Sequence, residues 1–79
     1  MMVRSLLILG AGGHGLVVAD CAEAQGRWDR IVFCDEAWPD RKQNATFPII
    51  AGREDFFSRQ HGADVECIVA IGNSVVRLD

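Results

Sequence analysis

The chain has 79 residues, of which 49% are hydrophobic, and a formal net charge of −3 at pH 7. This composition supports one small globular domain, and an acidic balance with scattered Lys and Arg argues against binding to nucleic acid or a membrane surface. No apolar run approaches the ~20 residues of a membrane-spanning helix, and glycines follow the N-terminal apolar run where a signal peptide would be cleaved.

The first two elements are a strand and a helix joined by glycines. Residues 3–9 are nearly all aliphatic, which predicts a strand buried on both faces. Residues 13–25 predict a helix that ends at Gly26. The apolar stripe of this helix is predicted to be Val17, Val18, Cys21 and Ala22.

The middle of the chain continues the alternation of strand and helix. Residues 31–34 predict a second buried strand, and polar, aperiodic residues 36–47 predict a surface loop. Residues 48–52 predict a short edge strand with Pro48 at its first position. Residues 53–61 predict a short helix, with Arg53 and His61 as exposed flanking residues.

The last elements are a strand over residues 66–71 and the start of a helix over residues 74–79. Since the chain stops inside this element, we expect it to be a piece of a longer protein. The whole pattern predicts a small Rossmann-like, three-layer α/β domain spanning residues 1–79, with a parallel sheet of about four strands in the order 3-2-1-4.

Glycines at positions 10, 12 and 15 follow the first strand directly and open the helix. This spacing is typical of a phosphate-binding turn. Gly10 permits a sharp turn, Gly12 and Gly13 expose backbone to a ligand, and Gly15 allows close packing of helix on strand. Unpaired amides at the helix start attract an anion. The alternative is a tight turn that binds nothing.

Three polar strand ends are expected to converge at one sheet edge: the glycine turn, Asp35 with Glu36, and Asn73. Asp35 lies 20 residues after Gly15, as does the acid that binds ribose in dinucleotide sites. Each of the three polar residues also has an interpretation without a ligand. Asp35 would be a loop cap, Glu36 a solvated neighbour and Asn73 an N-cap.

His14, inside the turn, is predicted either to donate to a sugar or phosphate oxygen or to bond a neighbouring carbonyl. The three cysteines, Cys21, Cys34 and Cys67, lack CxxC spacing and predict buried thiols in a reducing cytoplasm. With two separated histidines, no metal site is expected.

Four segments together resemble a known family. These are residues 7–20 with Gly-Gly-His-Gly, residues 33–36, residues 48–52, and residues 68–73 with Ala-Ile-Gly-Asn. They resemble the N-terminal domain of the sialic acid O-acetyltransferase (NeuD-like) family, which includes UDP-4-amino-sugar N-acetyltransferases. The resemblance covers essentially the whole chain.

The resemblance implies a cytoplasmic, two-domain bacterial acetyltransferase of glycan biosynthesis, whose N-terminal domain binds the nucleotide-sugar acceptor. A C-terminal hexapeptide-repeat β-helix would bind acetyl-CoA, form a homotrimer and supply the histidine base. The chain has no such repeat, so this resemblance implies no catalytic residue and no cofactor here. The substrate-contacting residues that it implies are Gly12, Gly13, His14, Asp35, Glu36 and Asn73.

Two other functions fit parts of the pattern. The glycine spacing and Asp35 also suit an NAD(P)-binding half-domain of an oxidoreductase, although His14 and the lack of a second mononucleotide half do not. A non-catalytic interaction module that keeps the fold is the third hypothesis.

Overall fold

A six-stranded sheet with helices against it makes up the described part of the chain, residues 3–58, 62, 64–71 and 74–78 of a computed structural model. For residues 58, 71 and 74–78, only the backbone is described. The strands are β1 (Ser5–Leu9), β2 (Arg30–Cys34), β3 (Gln43–Asn44), β4 (Phe47–Ala51), β5 (Val65–Ile71) and β6 (Ser74–Leu78), and the helices are α1 (Gly13–Gln25) and α2 (Arg53–Ser58).

The central strands are parallel and lie in the order β4-β2-β1-β5. This confirms the predicted order 3-2-1-4 and the Rossmann-like α/β class, because β4 is the third predicted strand and β5 the fourth. Two antiparallel strands extend the edges, with β3 beside β4 and β6 beside β5. The carboxyl ends of β1, β2 and β5 therefore lie together at one edge of the sheet.

The predictions for the edge strands are wrong in three places. Residues 74–78 form a strand instead of a helix, residues 43–44 of the predicted loop form β3, and β4 is not an edge strand because β3 covers it. A window of five or six residues holds too few periods to separate helix from strand, and Val75-Val76 favours a strand through its β-branched side chains.

Side chains of β1 alternate between two hydrophobic clusters, one on each face of the sheet. Leu6 and Ile8 join Ala19 and Ala22 of α1, whereas Leu7 and Leu9 join Phe56 of α2. All four leucine and isoleucine side chains of β1 are buried. The strand is therefore buried on both faces and the domain has three layers, as predicted.

The bounds of α1 and its stop at Gly26 agree with the prediction. Gly26 has a left-handed φ of 68° and its amide donates to the Glu23 carbonyl at 3.2 Å. The predicted apolar stripe is right for Ala22, which is buried, and for Val18, which packs against the core, but wrong for Val17, which is 56% exposed, and for Cys21, which is exposed.

The fully buried residues of α1 are Gly15, Ala19 and the predicted Ala22. These residues follow a spacing of four and then three, which keeps them on one side of the helix. At Gly15, the close approach of α1 to the glycine turn leaves no room for a side chain.

The other thiols differ in burial, and α2 presents one aromatic residue to the core. Cys34 is buried and Cys67 is half-buried, so burial of all three thiols is not observed. Phe56 of α2 is buried while Phe57 is 60% exposed. His61, at the end of the predicted helix, lies outside the described residues. None of the helices that the structure describes is long and apolar enough to cross a bilayer.

Candidate functional site

The turn between β1 and α1 has the geometry that its glycines predict. Gly10 adopts a φ of 103°, a conformation that L side chains rarely take, and its amide extends the sheet by donating to the Cys34 carbonyl at 2.9 Å. A Cβ on Gly15 would collide with the Gly10 carbonyl oxygen and lie 3.1 Å from Cε1 of Phe33. Gly10 therefore makes the turn and Gly15 allows the close packing of helix on strand.

The first turn of α1 leaves its backbone amides without a protein cap. Gly12 is the N-cap in an extended conformation and supplies no side-chain acceptor, and the first bond of the helix runs from the Leu16 amide to the Gly12 carbonyl at 3.0 Å. A Cβ added at Gly12 or Gly13 would meet nothing within 4 Å. Gly12 and Gly13 are exposed residues, so the first amides of α1, which carry a partial positive charge, lie near the surface.

Asp35 follows β2 and ties the two strand ends together. Its Oδ1 accepts a hydrogen bond from the Ala11 amide at 2.8 Å, and its Oδ2 accepts one from the Ala37 amide at 2.9 Å. The loop-cap alternative is therefore observed. Each carboxylate oxygen keeps a second acceptor position, so a bond from Asp35 to a ligand hydroxyl stays a prediction.

His14 is half-buried at the start of α1, and its Nε2 atom is buried with no hydrogen-bond partner among the described residues. Of the two predicted alternatives for His14, a bond to a neighbouring carbonyl is therefore not made by Nε2 within the described part of the chain. A buried ring nitrogen without a partner carries a free-energy cost.

These residues line a cleft of about 340 Å³ at the carboxyl ends of the strands. Its walls include Gly12, Gly13 and His14 on one side and Asp35 with Glu36 on another. The volume lies in the usual range for small-molecule sites. The structure thus brings together five of the six predicted site residues, while Asn73 lies outside the described residues.

Two further residues of the cleft come from α2 and β5. Arg53, the first residue of α2, is a wall of the cleft, and Ala70 reaches it from β5. The sequence placed Arg53 only as an exposed flank of its helix. Its position directly after a parallel strand was the available signal, because such positions lie at the edge of the sheet where ligands bind.

The segment after β2 holds the glycine turn through two residues that the sequence did not single out. Arg41 donates from Nη1 to the Ala11 carbonyl and from Nη2 to Oδ1 of Asn44, both at 2.8 Å. Asn44 donates from Nδ2 to the Gly12 carbonyl at 3.4 Å and is only 4% exposed. Because their partners lie about 30 residues away along the chain, no local pattern marks them.

Two kinds of charged group flank the cleft. Asp35 and Glu36 provide carboxylates, and Arg53 provides a cation whose guanidinium lies 6.0 Å from the centre of the Phe57 ring. No group of three or more metal-ligating side chains occurs within the described ranges. The site therefore presents donors for an anion beside acceptors for hydroxyl or amine groups.

Comparison with known proteins agrees with the resemblance found in the sequence. Residues 5–79 match the family described as the PglD N-terminal domain. No curated protein sequence matches the chain.

Solved structures of a bacterial protein share the fold. The acetyltransferase domain of PglB from Neisseria gonorrhoeae FA1090 is 36% identical in sequence, with a TM-score of 0.78, over 89% of this chain and 33% of that one. A second structure of that domain, in complex with acetyl coenzyme A, gives a TM-score of 0.75 at 36% identity over 91% of this chain and 34% of that one. The chain thus spans about a third of the length of these structures. The match over residues 5–79 and the shared fold together show that the chain belongs to the PglD N-terminal domain family.

Proposed function

We propose that the cleft binds the nucleotide-sugar acceptor of an acetyltransferase, with a UDP-linked amino sugar as the ligand class. The single observation that carries this proposal is the cleft itself, in which exposed glycines at the start of α1 lie beside His14, whose Nε2 has no partner among the described residues. The similarity to the acetyltransferase domain of PglB supports the reaction class.

Each wall of the cleft suits one part of such a ligand. The amides of Gly12 and Gly13 and the guanidinium of Arg53 would take the diphosphate, since helix N-termini and arginine both favour phosphate oxygens. The carboxylates of Asp35 and Glu36 would accept from sugar hydroxyls, and His14 Nε2 would bond a polar atom of the sugar or phosphate.

In this proposal the chain contributes binding and orientation of the acceptor. Holding the acceptor amine or hydroxyl close to the thioester of acetyl-CoA would accelerate transfer mainly through proximity. Binding of acetyl-CoA and removal of the acceptor proton by a general base would belong to the other two thirds of a protein built like the acetyltransferase domain of PglB.

A ¹⁵N NMR titration of the chain with UDP tests this proposal. We expect saturable shifts of the Gly12, Gly13 and His14 amide signals at up to millimolar UDP, and tighter binding of a UDP-amino sugar. NAD and acetyl-CoA are the comparison ligands. Shifts of these amides with NAD in preference to UDP would favour the oxidoreductase half-domain, and the absence of any response in folded protein contradicts a nucleotide site.

A pair of glycine variants gives the matched control for the titration. Gly13→Ala adds a methyl group to the wall of the cleft, whereas Gly62→Ala adds one at an exposed position that does not line it. Neither methyl group meets protein atoms within 4 Å, so both variants should fold. We expect Gly13→Ala to weaken UDP binding and Gly62→Ala to leave it unchanged; equal affinity in both variants counts against contact at Gly13.

A further inference from the structure

Arg41 and Asn44 form a pair that holds two consecutive carbonyl groups of the glycine turn. Arg41 Nη1 donates to the Ala11 carbonyl at 2.8 Å, and Asn44 Nδ2 donates to the Gly12 carbonyl at 3.4 Å. Arg41 Nη2 also donates to Asn44 Oδ1 at 2.8 Å. The two side chains therefore act on the turn as one bonded unit.

Both members of this pair are themselves held in place. The third nitrogen of the Arg41 guanidinium, Nε, donates to the Gln43 carbonyl at 3.1 Å. Asn44 is the one buried polar residue in the described part of the chain, at 4% exposed. All three guanidinium nitrogens of Arg41 thus have acceptors, which fixes the plane of the guanidinium group.

Because peptide groups are planar, the contacts to these two carbonyls also fix the direction of two backbone amides at the cleft. In a planar trans peptide, the C=O of one residue and the N–H of the next point in opposite directions. Fixing the Ala11 carbonyl therefore fixes the Gly12 N–H, and fixing the Gly12 carbonyl fixes the Gly13 N–H. Both amides point away from Arg41 and Asn44, and neither of these two side chains is a wall of the cleft.

We propose that Arg41 and Asn44 are positioning residues, which aim the Gly12 and Gly13 amides at the phosphate groups of the ligand without contacting it. This inference rests on the proposed nucleotide-binding function for its ligand. It assigns the segment between β2 and β4 a role in affinity, because this segment adds to the helix bond from the Leu16 amide in preorganising the donors of the cleft.

The test compares Arg41→Ala, Arg41→Lys and Asn44→Ala with Lys42→Ala in the 79-residue chain. Lys42→Ala removes the same unit charge one residue away, at an exposed position whose side chain has no bond to the turn. Arg41→Lys keeps the charge but loses the fork, and it serves as the measured variant if Arg41→Ala does not fold. We expect the Kd for UDP to rise about tenfold in the Arg41 and Asn44 variants and to stay unchanged in Lys42→Ala.

Amide dynamics without ligand separate this inference from the proposed function. We expect ¹⁵N order parameters of Gly12 and Gly13 to fall in Arg41→Lys and to keep their values in Lys42→Ala. Wild-type UDP affinity in a folded Arg41→Lys variant overturns the positioning role and leaves the nucleotide site standing. If the wild-type chain does not bind UDP, the proposed function fails. If the order parameters of Gly12 and Gly13 are also unchanged in Arg41→Lys, then Arg41 does not hold the turn.

Discussion

Asp35 and Ala11 are joined by a hydrogen bond of 2.8 Å from the Ala11 amide to the carboxylate Oδ1, which ties the end of β2 to the turn after β1. The carbonyl of the same Ala11 residue accepts from Arg41 at 2.8 Å. Both polar groups of Ala11 are therefore engaged by side chains of one segment. Asp35 holds the turn from the wall of the cleft, and Arg41 holds it from a position that does not line the cleft.

Replacement of Asp35 should destabilise the fold. Asp35→Ala removes the acceptors of the Ala11 and Ala37 amides, and we expect the free energy of unfolding to fall by about 2 kcal/mol. Urea denaturation measures the change. Glu36→Ala is the control, because this exposed neighbour has no hydrogen bond in the described structure; its effect should stay within about 0.5 kcal/mol. Equal losses in both variants would show that the two backbone bonds contribute little.

Gly15 should tolerate no side chain. A methyl group there collides with the backbone oxygen of Gly10, and we expect Gly15→Ala to lower the free energy of unfolding by about 3 kcal/mol, or to prevent folding. Thermal and urea denaturation followed by circular dichroism provide the measurement. Gly13→Ala is the matched variant in the same turn, since its methyl group meets nothing within 4 Å and its stability should stay near wild type. A stable Gly15→Ala protein is the outcome that contradicts the close packing.

Ala45, between β3 and β4, should gain stability when it is replaced by glycine. Its φ of 54° lies in the left-handed region, which costs an L residue about 1–2 kcal/mol. Glycine removes this strain, but it also raises the entropy of the unfolded chain, which offsets part of the gain in stability. We expect Ala45→Gly to raise the free energy of unfolding by up to about 1 kcal/mol, measured by urea denaturation. Ala24→Gly in α1 should instead lower it by about 0.5 kcal/mol, and the same sign for both variants counts against the strain at Ala45.

His14 should be more important for binding than for folding. Since its buried Nε2 has no partner in the described structure, we expect His14→Phe to raise the free energy of unfolding by about 1 kcal/mol and to weaken UDP binding. His14→Gln is the control, because it keeps a polar group at the site and should gain no stability. Loss of stability in His14→Phe would indicate that the imidazole makes a structural bond.

Burial raises the pKa of the Cys67 thiol above its ordinary value. The folded chain therefore keeps this proton at a pH where the unfolded chain releases it. The contribution of the thiol to the free energy of unfolding is fully present below the ordinary pKa and is lost as the pH rises through the raised pKa. We expect the free energy of unfolding to fall less steeply above about pH 8.5 in Cys67→Ala than in wild type. The chain has 0 tyrosines, which removes one competing alkaline titration. Parallel pH profiles of the two proteins contradict this linkage.

Much of the site could be read from the sequence because its chemistry is local. The φ of Gly10, the close approach at Gly15 and the end of α1 at Gly26 each depend on what a missing side chain permits within a few residues. The place of Asp35 beside the turn follows from the handedness of a parallel crossover. These features need no knowledge of distant contacts.

Edge strands and the helix face were less predictable. Residues 74–78 form a strand because they pair with β5, and a segment of five residues is too short for its sequence to predict that pairing. Likewise, the buried face of α1 begins at Gly15, where the Gly10 carbonyl and the Phe33 ring leave no room for a side chain.

The sequence by itself determined the α/β class, the order of the parallel strands and the place of the glycine turn, since each follows from short-range steric rules and chain handedness. Only the tertiary structure decided that Arg41 and Asn44 hold this turn, and that His14 Nε2 has no partner within the part of the chain that the structure describes. Hydrogen bonds between residues about 30 positions apart form only because the folded strands bring their ends together. No periodic pattern in the sequence predicts them.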